Sequence, residues 1–255
     1  MKYLFVILFC CGSVFGQNIT NLYVGQQLYA GMQLTTVPSA AAGPSYITNG
    51  LIAWWKLDDA SGTTASDSSG NGNAGTNTSA LFPKWTNGVA AGGLYFGGAN
   101  YIRIPDNSGL RFGTNDFSIS FWAKGVPLTG VGGTVLAKSG YGVGANDWAF
   151  YVLSGNLVFR VNYINLFNQP FPTSETNSWT HLVFERNNGV DKGFFNTVAT
   201  STNADTGNYN ATTTLSIGFP TGAGSSGYLT GTLDDIRIYN RALSATEVTN
   251  IFNGQ

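Results

Sequence analysis

The feature that most constrains this chain is a succession of short segments in which apolar and polar residues alternate. In FSISFWAK, Phe117, Ile119 and Phe121 fall on one face of an extended chain and two serines on the other. A period of two is the pattern of a strand with one buried face. Turn-forming residues separate these segments, and the chain has 34 glycines. Short strands between frequent turns predict an all-β sandwich or barrel.

Two local elements can be placed more closely. WAFYVLSGNLVFRVNYI predicts a hairpin that turns at Ser154–Asn156. Near the C terminus, Ser244 followed by Glu247 has the spacing of a capping box, and Leu243 and Val248 can form the accompanying hydrophobic staple. Every other element is strand-like, so we predict an antiparallel two-sheet sandwich with one short C-terminal helix.

The first sixteen residues, MKYLFVILFCCGSVFG, predict a secretory signal. Lys2 gives the positive region, Tyr3–Cys11 the apolar region, and cleavage is expected before Gln17. The alternatives are a buried strand or a lipid anchor on Cys10 or Cys11. Both cysteines lie here, so the mature chain would have no disulfide or cysteine-based zinc site. We expect a secreted or cell-surface protein.

Residues 17–49 are predicted to be an extended N-terminal segment. YVGQQL at Tyr23–Leu28 is followed by YAGMQL at Tyr29–Leu34. Two such copies bury little of their own apolar surface, so one interpretation is an arm that pairs with the same segment of another subunit. The other is a flexible tether with a chance repeat. TTVPSAAAGPS then has the composition of a linker, and we place the folded domain at residues 50–255.

Charge and hydropathy argue against nucleic acid as a partner and against a membrane span. The formal net charge is −1, and no basic run is present, so the pattern does not favour nucleic acid. The chain is 43% hydrophobic and only 10% charged, which is typical of an ordered domain. No segment after the signal is apolar enough to span a membrane.

Six stretches occur along the chain in a characteristic order: LIAWWKLDDASGTTASDSSGNGNAG (51–75), GGLYFGGANYIRIPD (92–106), DFSISFWAK (116–124), SWTHLVFER (178–186), LSIG (215–218) and YLTGTLDDIRIYNRALSATEV (228–248). Together they resemble the LamG-like, concanavalin A-like jelly-roll family of lectins and glucanases. The resemblance covers residues 50–255 and implies two curved antiparallel sheets stacked face to face. The chain departs from the family in one hairpin, where Asn196 and Thr197 replace the usual Asp and Gly.

The sequence does not predict an enzyme. Enzymes of the wider superfamily carry paired carboxylates in one strand, as E-x-D-x-x-E, and retaining glycosidases need them about 5–5.5 Å apart. The glutamates here are Glu175, Glu185 and Glu247, and none belongs to such a motif. Glu185 is predicted to be a solvated or paired charge. His181, the one histidine, is predicted to be a packed strand residue bonded to the backbone.

Two adjacent carboxylates, Asp234 and Asp235, begin a strand-like stretch near the C terminus. In a regular strand they point to opposite faces, with Ile236 on the side of Asp234 and Arg237 on the side of Asp235. A buried carboxylate needs a partner. Three interpretations stay open: calcium ligation, ion pairs with basic side chains such as Arg237, and hydrogen bonds to backbone N–H groups.

The resemblance implies a calcium site, because relatives hold calcium between the loop after the first strand and a strand near the C terminus. We therefore predict Asp67, Asn71 and Asp234 as ligands of a structural Ca²⁺, an ion that takes several oxygen ligands. DSSGNG also matches the start of an EF-hand loop. Thr78 stands where the bidentate glutamate belongs, and no helices flank the loop, so we reject an EF-hand.

Aromatic and amide side chains in the predicted loops suggest that the protein binds a ligand there. Sugar rings stack on aromatic side chains, while their hydroxyls pair with Asn and Asp. The predicted ligand-binding residues are Trp85, Tyr141, Asn146, Asp147, Trp148 and Tyr163. We predict a noncatalytic module for carbohydrate recognition or adhesion, whose partner is a glycan or an extracellular protein. The alternative is an assembly protein, such as an appendage, surface or virion component, that forms a homo-oligomer through residues 17–49.

Overall fold

The computed structural model describes residues 23–24, 27–28, 47–77, 83–126, 131–139, 146–161, 164–170, 177–219 and 227–254. The chain divides into two units, Met1–Ala42 and Gly43–Gln255. In the first unit, β1 (Tyr23–Val24) pairs antiparallel with β2 (Gln27–Leu28), so the first copy of the repeat folds back on itself. The signal segment and the second copy of the repeat lie outside the described residues, and an oligomerisation arm stays a prediction.

Two antiparallel sheets of eight strands each make up the second unit. The first sheet contains, in spatial order, β13 (Ile164–Pro170), β12 (Asn156–Val161), β11 (Trp148–Leu153), β10 (Val131–Lys138), β17 (Leu215–Ile217), β8 (Ile102–Ile104), β5 (Gly75–Thr76) and β4 (Thr64–Ala65). The second contains β16 (Val198–Ala204), β15 (Val190–Phe195), β14 (Thr180–Asn187), β9 (Phe117–Lys124), β18 (Thr230–Tyr239), β7 (Gly92–Gly97) and β6 (Lys84–Asn87), with β3 (Leu51–Trp55) also paired to β18. A 3₁₀ turn spans Ser108–Leu110.

The alternation in the sequence places one core between the two sheets. Phe117, Ile119 and Phe121 are buried, as predicted. Across the core, the rings of Phe159 and Phe184 have centroids 4.3 Å apart, which joins β12 of the first sheet to β14 of the second. The antiparallel two-sheet sandwich is therefore confirmed.

The single C-terminal helix, α1 (Ala245–Asn253), covers part of the outer face of the second sheet. Its capping box is confirmed, because the Ser244 hydroxyl accepts from the Glu247 N–H and the Glu247 carboxylate accepts from the Ser244 N–H. Leu243 and Val248 are both buried in the cluster that the helix makes with the sheet. A helix of this length depends on such docking.

Three hairpins of the described residues use tight turns with positive φ at both central residues, one of them at Asn188 (φ 50°) and Gly189 (φ 73°) between β14 and β15. Ser154 (φ 48°) and Gly155 (φ 80°) connect β11 to β12 at the predicted position. Asn196 (φ 46°) and Thr197 (φ 74°) connect β15 to β16 in the same way. The departure from Asp-Gly therefore leaves the turn geometry intact, but it places a β-branched residue in the left-handed region, which is strained.

A buried carboxylate lies near one end of the core. Asp205 accepts hydrogen bonds from the Arg186 guanidinium, at 2.7 Å, and from the Tyr209 hydroxyl. Asp191 is fully buried nearby. Loss of solvent, and next the Asp205 carboxylate, raise the pKa of Asp191 to about 8. Asp191 is therefore protonated in the folded chain at neutral pH.

Thr197→Gly should stabilise the protein, because glycine adopts the left-handed conformation without steric cost. We expect the free energy of unfolding to rise by about 1 kcal/mol in urea denaturation. Thr202→Gly is the matched control: Thr202 is exposed in β16, where glycine only adds chain entropy to the unfolded state and should lower stability. Equal losses of unfolding free energy in the two variants would contradict backbone strain at Thr197.

Asp191→Asn should change how stability depends on pH. Because the pKa of Asp191 is raised on folding, its contribution is present below pH 4 and is lost as the pH rises towards 8. The difference in unfolding free energy, variant minus wild type, should therefore increase across this range by ~2 kcal/mol or more. Urea denaturation at pH 4.5 and pH 8.5 measures it. A difference that is constant with pH would refute the buried, protonated carboxyl.

Candidate functional site

The two adjacent aspartates lie at a β-bulge in β18. Asp234 pairs with Trp122 of β9 and Arg237 pairs with Ser120, so β18 has one residue more than β9 between these pairs. The extra residue is Asp235, with φ at 47°. A bulge of this kind bends the strand and changes where side chains point.

The bulge corrects the prediction that the two carboxylates face opposite sides. Leu233 and Ile236 both lie in the core between the sheets. The two residues between them, Asp234 and Asp235, line the same cavity on the outer side. Asp234 therefore does not share a face with Ile236, while Asp235 and Arg237 do lie together.

Asp235 is held by a buried ion pair. The Arg237 Nε–H donates to Oδ1 of its carboxylate at 2.9 Å, the Trp54 indole N–H donates to the same oxygen at 2.5 Å, and an Arg237 Nη atom lies 2.8 Å from Oδ2 in an ion-pair contact. Asp235 is 4% exposed and Arg237 is 5% exposed. Because water screens such a buried pair little, the attraction between the two charges is strong and holds both side chains in place. The ion-pair interpretation holds for this residue.

Asp234 instead satisfies backbone groups. One carboxylate oxygen accepts from the Val89 N–H and the other from the Asp235 N–H, both at 2.7 Å. Burial raises the pKa of Asp234 to about 7, and the nearby carboxylates of Asp235 and Asp58 act in the same direction. Near neutral pH, this carboxyl is therefore close to its midpoint between the charged and neutral forms.

A cavity of about 110 Å³ opens beside these side chains on the outer face of the second sheet. The Trp54 ring lies on its wall, with the Lys56 ammonium 4.4 Å and the Arg237 guanidinium carbon 4.7 Å from the ring centroid. Both cations are within the range of a cation–π contact. The residues that line the cavity are Trp54, Lys56, Asp58, Ala90, Ala91, Asp234, Asp235, Arg237 and Gly254.

The charges on the cavity wall nearly balance. Lys56 and Arg237 supply two positive charges, while Asp58 and Asp235 supply two negative ones. Asp234 adds a fraction of a charge that depends on pH. Donors and acceptors thus line the cavity without a dominant sign, which suits a neutral ligand rich in hydroxyl groups.

Asp67 organises the turn after β3. Its carboxylate accepts four hydrogen bonds, from the backbone N–H groups of Trp54, Ser69 and Asn73 and from the Ser69 hydroxyl. Loss of solvent opposes these bonds, but together they lower the pKa of Asp67. The Asn71 amide donates to backbone carbonyls of β3. A calcium ion bound here would have to displace these bonds, so Asp67 and Asn71 do not fit a preformed site.

Calcium at Asp67, Asn71 and Asp234 accordingly stays a prediction. Both oxygens of Asp234 already accept backbone N–H groups. Within the described ranges, no three His, Cys, Asp or Glu side chains gather as they would around a metal ion.

The structure does not bring the predicted ligand-binding residues into one site. Trp148 is 1% exposed in the core, so it corrects the prediction of a surface aromatic. Trp85 is half-buried against the core and donates to the Gly62 carbonyl. Asn146 and Asp147 are half-buried just before β11, and Asp147 accepts from the Ser139 hydroxyl. Tyr141 and Tyr163 lie outside the described residues.

Trp54 and Lys56 were not predicted to be parts of a site. Trp54 is buried, but it lies on the outer face of the second sheet, whereas its neighbour Trp55 is in the core. The signal was present: Trp54, Lys56 and Asp58 are spaced by two, as one face of a strand requires.

The possible catalytic residues His181 and Ser120 do not line the cavity, although Ser120 is the cross-strand partner of Arg237. His181 and Ser120 are fully buried, and their Nε2 and hydroxyl groups are 2.8 Å apart. Burial, and next the Arg237 charge, lower the pKa of His181 to about 3, so the ring stays neutral. His181 therefore bonds a side chain rather than the predicted backbone group. Glu185 is 4% exposed and lies 4.0 Å from Lys192, so it is paired rather than solvated.

No helix in the described part of the chain has the length and apolarity needed to cross a bilayer.

Several solved structures of low sequence identity share this fold. No curated protein matches the sequence significantly. Domain 4 of AbnA, a GH43 extracellular arabinanase from Geobacillus stearothermophilus solved with arabinotriose, is 24% identical with a TM-score of 0.61, over 79% of this chain and 97% of that domain. The binding domain of Paraclostridial Mosquitocidal Protein 1 is 18% identical with a TM-score of 0.63, over 81% of this chain.

The receptor binding domain of botulinum neurotoxin D is 16% identical with a TM-score of 0.59, over 82% of this chain. The match covers 53% of that structure and 52% of the mosquitocidal one, so this chain spans about half of each toxin domain. The family model described as the concanavalin A-like lectin/glucanases superfamily matches residues 96–249. Because this match covers more than half of the chain, the protein belongs to the concanavalin A-like lectin/glucanases superfamily.

Proposed function

We propose that the protein is a secreted, noncatalytic module that binds carbohydrate at the cavity beside Trp54. The observation that carries this proposal is the wall of the cavity, where an indole ring lies among carboxylates and basic side chains of nearly balanced charge. Sugar hydroxyls both donate and accept hydrogen bonds, so they can pair with both kinds of group. A strongly charged ligand would meet a like charge on one part of the wall.

The size of the cavity indicates which part of a glycan it takes. At about 110 Å³ it is smaller than the roughly 300–1,000 Å³ of pockets that enclose whole ligands. We infer that it receives one edge or the terminal group of a sugar, while the rest of the glycan lies on the surface. A related domain of the same fold was solved with arabinotriose, which supports a saccharide ligand.

The burial of the possible acid and base groups supports a noncatalytic role. A general base must reach the proton it removes. His181 is fully buried and Glu185 nearly so, and neither lines the cavity. Each of the three carboxylates that line it already has a partner: Asp235 has Arg237, Asp234 has two backbone N–H groups, and the exposed Asp58 accepts the Gly92 N–H. We expect no release of product from any polysaccharide that the protein binds.

Filling the cavity should abolish glycan binding without disturbing the fold. Ala91 is exposed on the cavity wall, so Ala91→Leu adds volume there and removes no contact. We expect the affinity of the full chain for its best ligand on a glycan array, measured by calorimetry, to fall at least about tenfold.

The matched control for this variant is Ala199→Leu, because Ala199 is exposed in β16 and does not line the cavity. It should bind like the wild type, and both variants should unfold at the wild-type temperature. Unchanged binding by a folded Ala91→Leu variant would exclude this cavity as the site.

Calcium dependence can be measured with the same ligand. The hydrogen bonds of Asp67 and Asp234 are complete without a metal ion, so we expect EDTA to change the affinity less than about twofold. Loss of binding in EDTA that is restored by added Ca²⁺ would instead support calcium ligation. Asp67→Asn and Asp234→Asn would then show which carboxylate the ion uses.

A further inference from the structure

Three aromatic rings cluster at one end of the sandwich. The centroids of Tyr101 and Phe219 are 4.5 Å apart in an edge-to-face arrangement. Tyr228 lies 5.5 Å from Phe219 and 6.2 Å from Tyr101. Phe219 is buried, while Tyr101 and Tyr228 are each half-buried, so both tyrosines keep some contact with solvent.

Arg103 projects onto this cluster from β8. Its neighbours Ile102 and Ile104 are both in the core, so Arg103 faces outward from the first sheet. Its guanidinium carbon is 4.9 Å from the Phe219 centroid and 5.2 Å from the Tyr101 centroid. Among the described residues it forms no ion pair, and its buried Nε has no hydrogen-bond acceptor.

Arg103 has no carboxylate partner in the described ranges, whereas several other buried side-chain cations there belong to ion pairs. Lys138 pairs with Asp106 at 2.6 Å, Arg186 with Asp205 at 2.7 Å, and Arg237 with Asp235 at 2.8 Å. Withdrawing a guanidinium from water without an acceptor is unfavourable, because its N–H groups lose their hydrogen bonds to water. Arg103 bears this cost at its buried Nε, and the aromatic rings compensate its charge only in part.

We propose that Arg103, Tyr101, Phe219 and Tyr228 form a second binding site, whose ligand is a sugar that carries a carboxylate. A guanidinium offers parallel N–H groups that match the two oxygens of a planar carboxylate. The half-exposed tyrosine rings suit the apolar C–H face of the sugar ring, and their hydroxyls can pair with sugar hydroxyls. Uronic and sialic acids both have this chemistry.

The second site lies on the outer face of the first sheet, whereas the cavity beside Trp54 lies on the outer face of the second. The two proposals therefore fail independently of each other. With a net charge of −1, the chain offers little long-range attraction for an anion. The affinity for an acidic sugar should consequently depend on Arg103 itself, and it should weaken as salt is added.

The ligands for the test differ only in the carboxylate. Oligogalacturonate is compared with its methyl ester, and sialyllactose with lactose, by calorimetry on the full chain at low ionic strength. We expect at least one acid to bind about ten- to a hundredfold more tightly than its uncharged partner, as a charge-assisted hydrogen bond predicts. Preference for oligogalacturonate identifies a uronic acid, and preference for sialyllactose identifies a sialic acid.

Arg103→Gln should remove this preference, and Arg103→Lys, which keeps the charge but not the paired N–H groups, should retain part of it. Arg160→Gln is the matched control. Arg160 lies on the same outer face, also over a tyrosine ring, with its guanidinium carbon 5.2 Å from the Tyr151 centroid. Unlike Arg103, it forms a side-chain hydrogen bond with that tyrosine. We expect Arg160→Gln and Ala91→Leu to keep the preference for the acid.

Several results would overturn the proposal. Equal affinity for both members of each pair would exclude recognition of the carboxylate, as would failure to bind either acid. Tight binding of a sulfated galactan at the same site would exclude a specific carboxylate site. An equal loss of the preference for the acid in Arg160→Gln would show that the preference depends on the overall positive charge of this face and not on Arg103. Thermal unfolding of each variant shows whether it is folded. If Arg103→Gln does not fold, Arg103→Lys tests the site in its place.

Discussion

The bulge at Asp235 is the constraint on which the candidate site depends. One extra residue in β18 lets Leu233 and Ile236 both enter the core, while the two carboxylates between them stay on the outer side. The left-handed backbone of Asp235 has a cost of order 1 kcal/mol or more. The Arg237 guanidinium and the Trp54 indole N–H offset that cost, because both donate to Oδ1 of Asp235 and the guanidinium charge also lies close to Oδ2. Loss of either partner would leave a buried charge poorly compensated.

The second carboxylate connects the bulge to the hairpin between β6 and β7. Asp234 accepts the Val89 N–H, so the loop residues Ala90 and Ala91 are held over the bulge as one wall of the cavity. The close approach requires glycine at position 88, where a Cβ atom would lie 1.7 Å from the Gly92 carbonyl oxygen and 2.3 Å from the Asp234 carboxylate. The cavity is thus produced by backbone geometry as much as by its side chains.

The sequence predicted the elements whose signals are local. The period of two in β9, the turn at Ser154–Gly155 and the capping box at Ser244 each depend on a few neighbouring residues, and the structure confirms them. The bulge could not be found in this way, because its evidence is a register shift against β9, a strand distant in sequence. Strict alternation therefore assigned the wrong face to Asp234.

The candidate site was missed for a related reason. Aromatic residues outside the predicted strands were expected to be exposed, yet Trp148 begins β11 and points into the core with Phe150. The presence of a tryptophan at a strand end does not show whether its side chain faces the core or the solvent. Here the two-residue spacing from Phe150, which is in the core, shows that Trp148 faces the core. The same argument applies to Arg103, whose outward direction follows from Ile102 and Ile104 on either side.

The two proposed sites have a consequence that neither has alone. They lie on the outer faces of different sheets, and a core about 10 Å thick separates those sheets. A short glycan bound beside Trp54 cannot also reach Arg103, so the two sites add no affinity for one short ligand. If both sites bind as proposed, they would instead hold two glycan chains at once, one selected by balanced polar groups and the other by a carboxylate. That arrangement favours cross-linking of unlike polysaccharides over tighter binding of one.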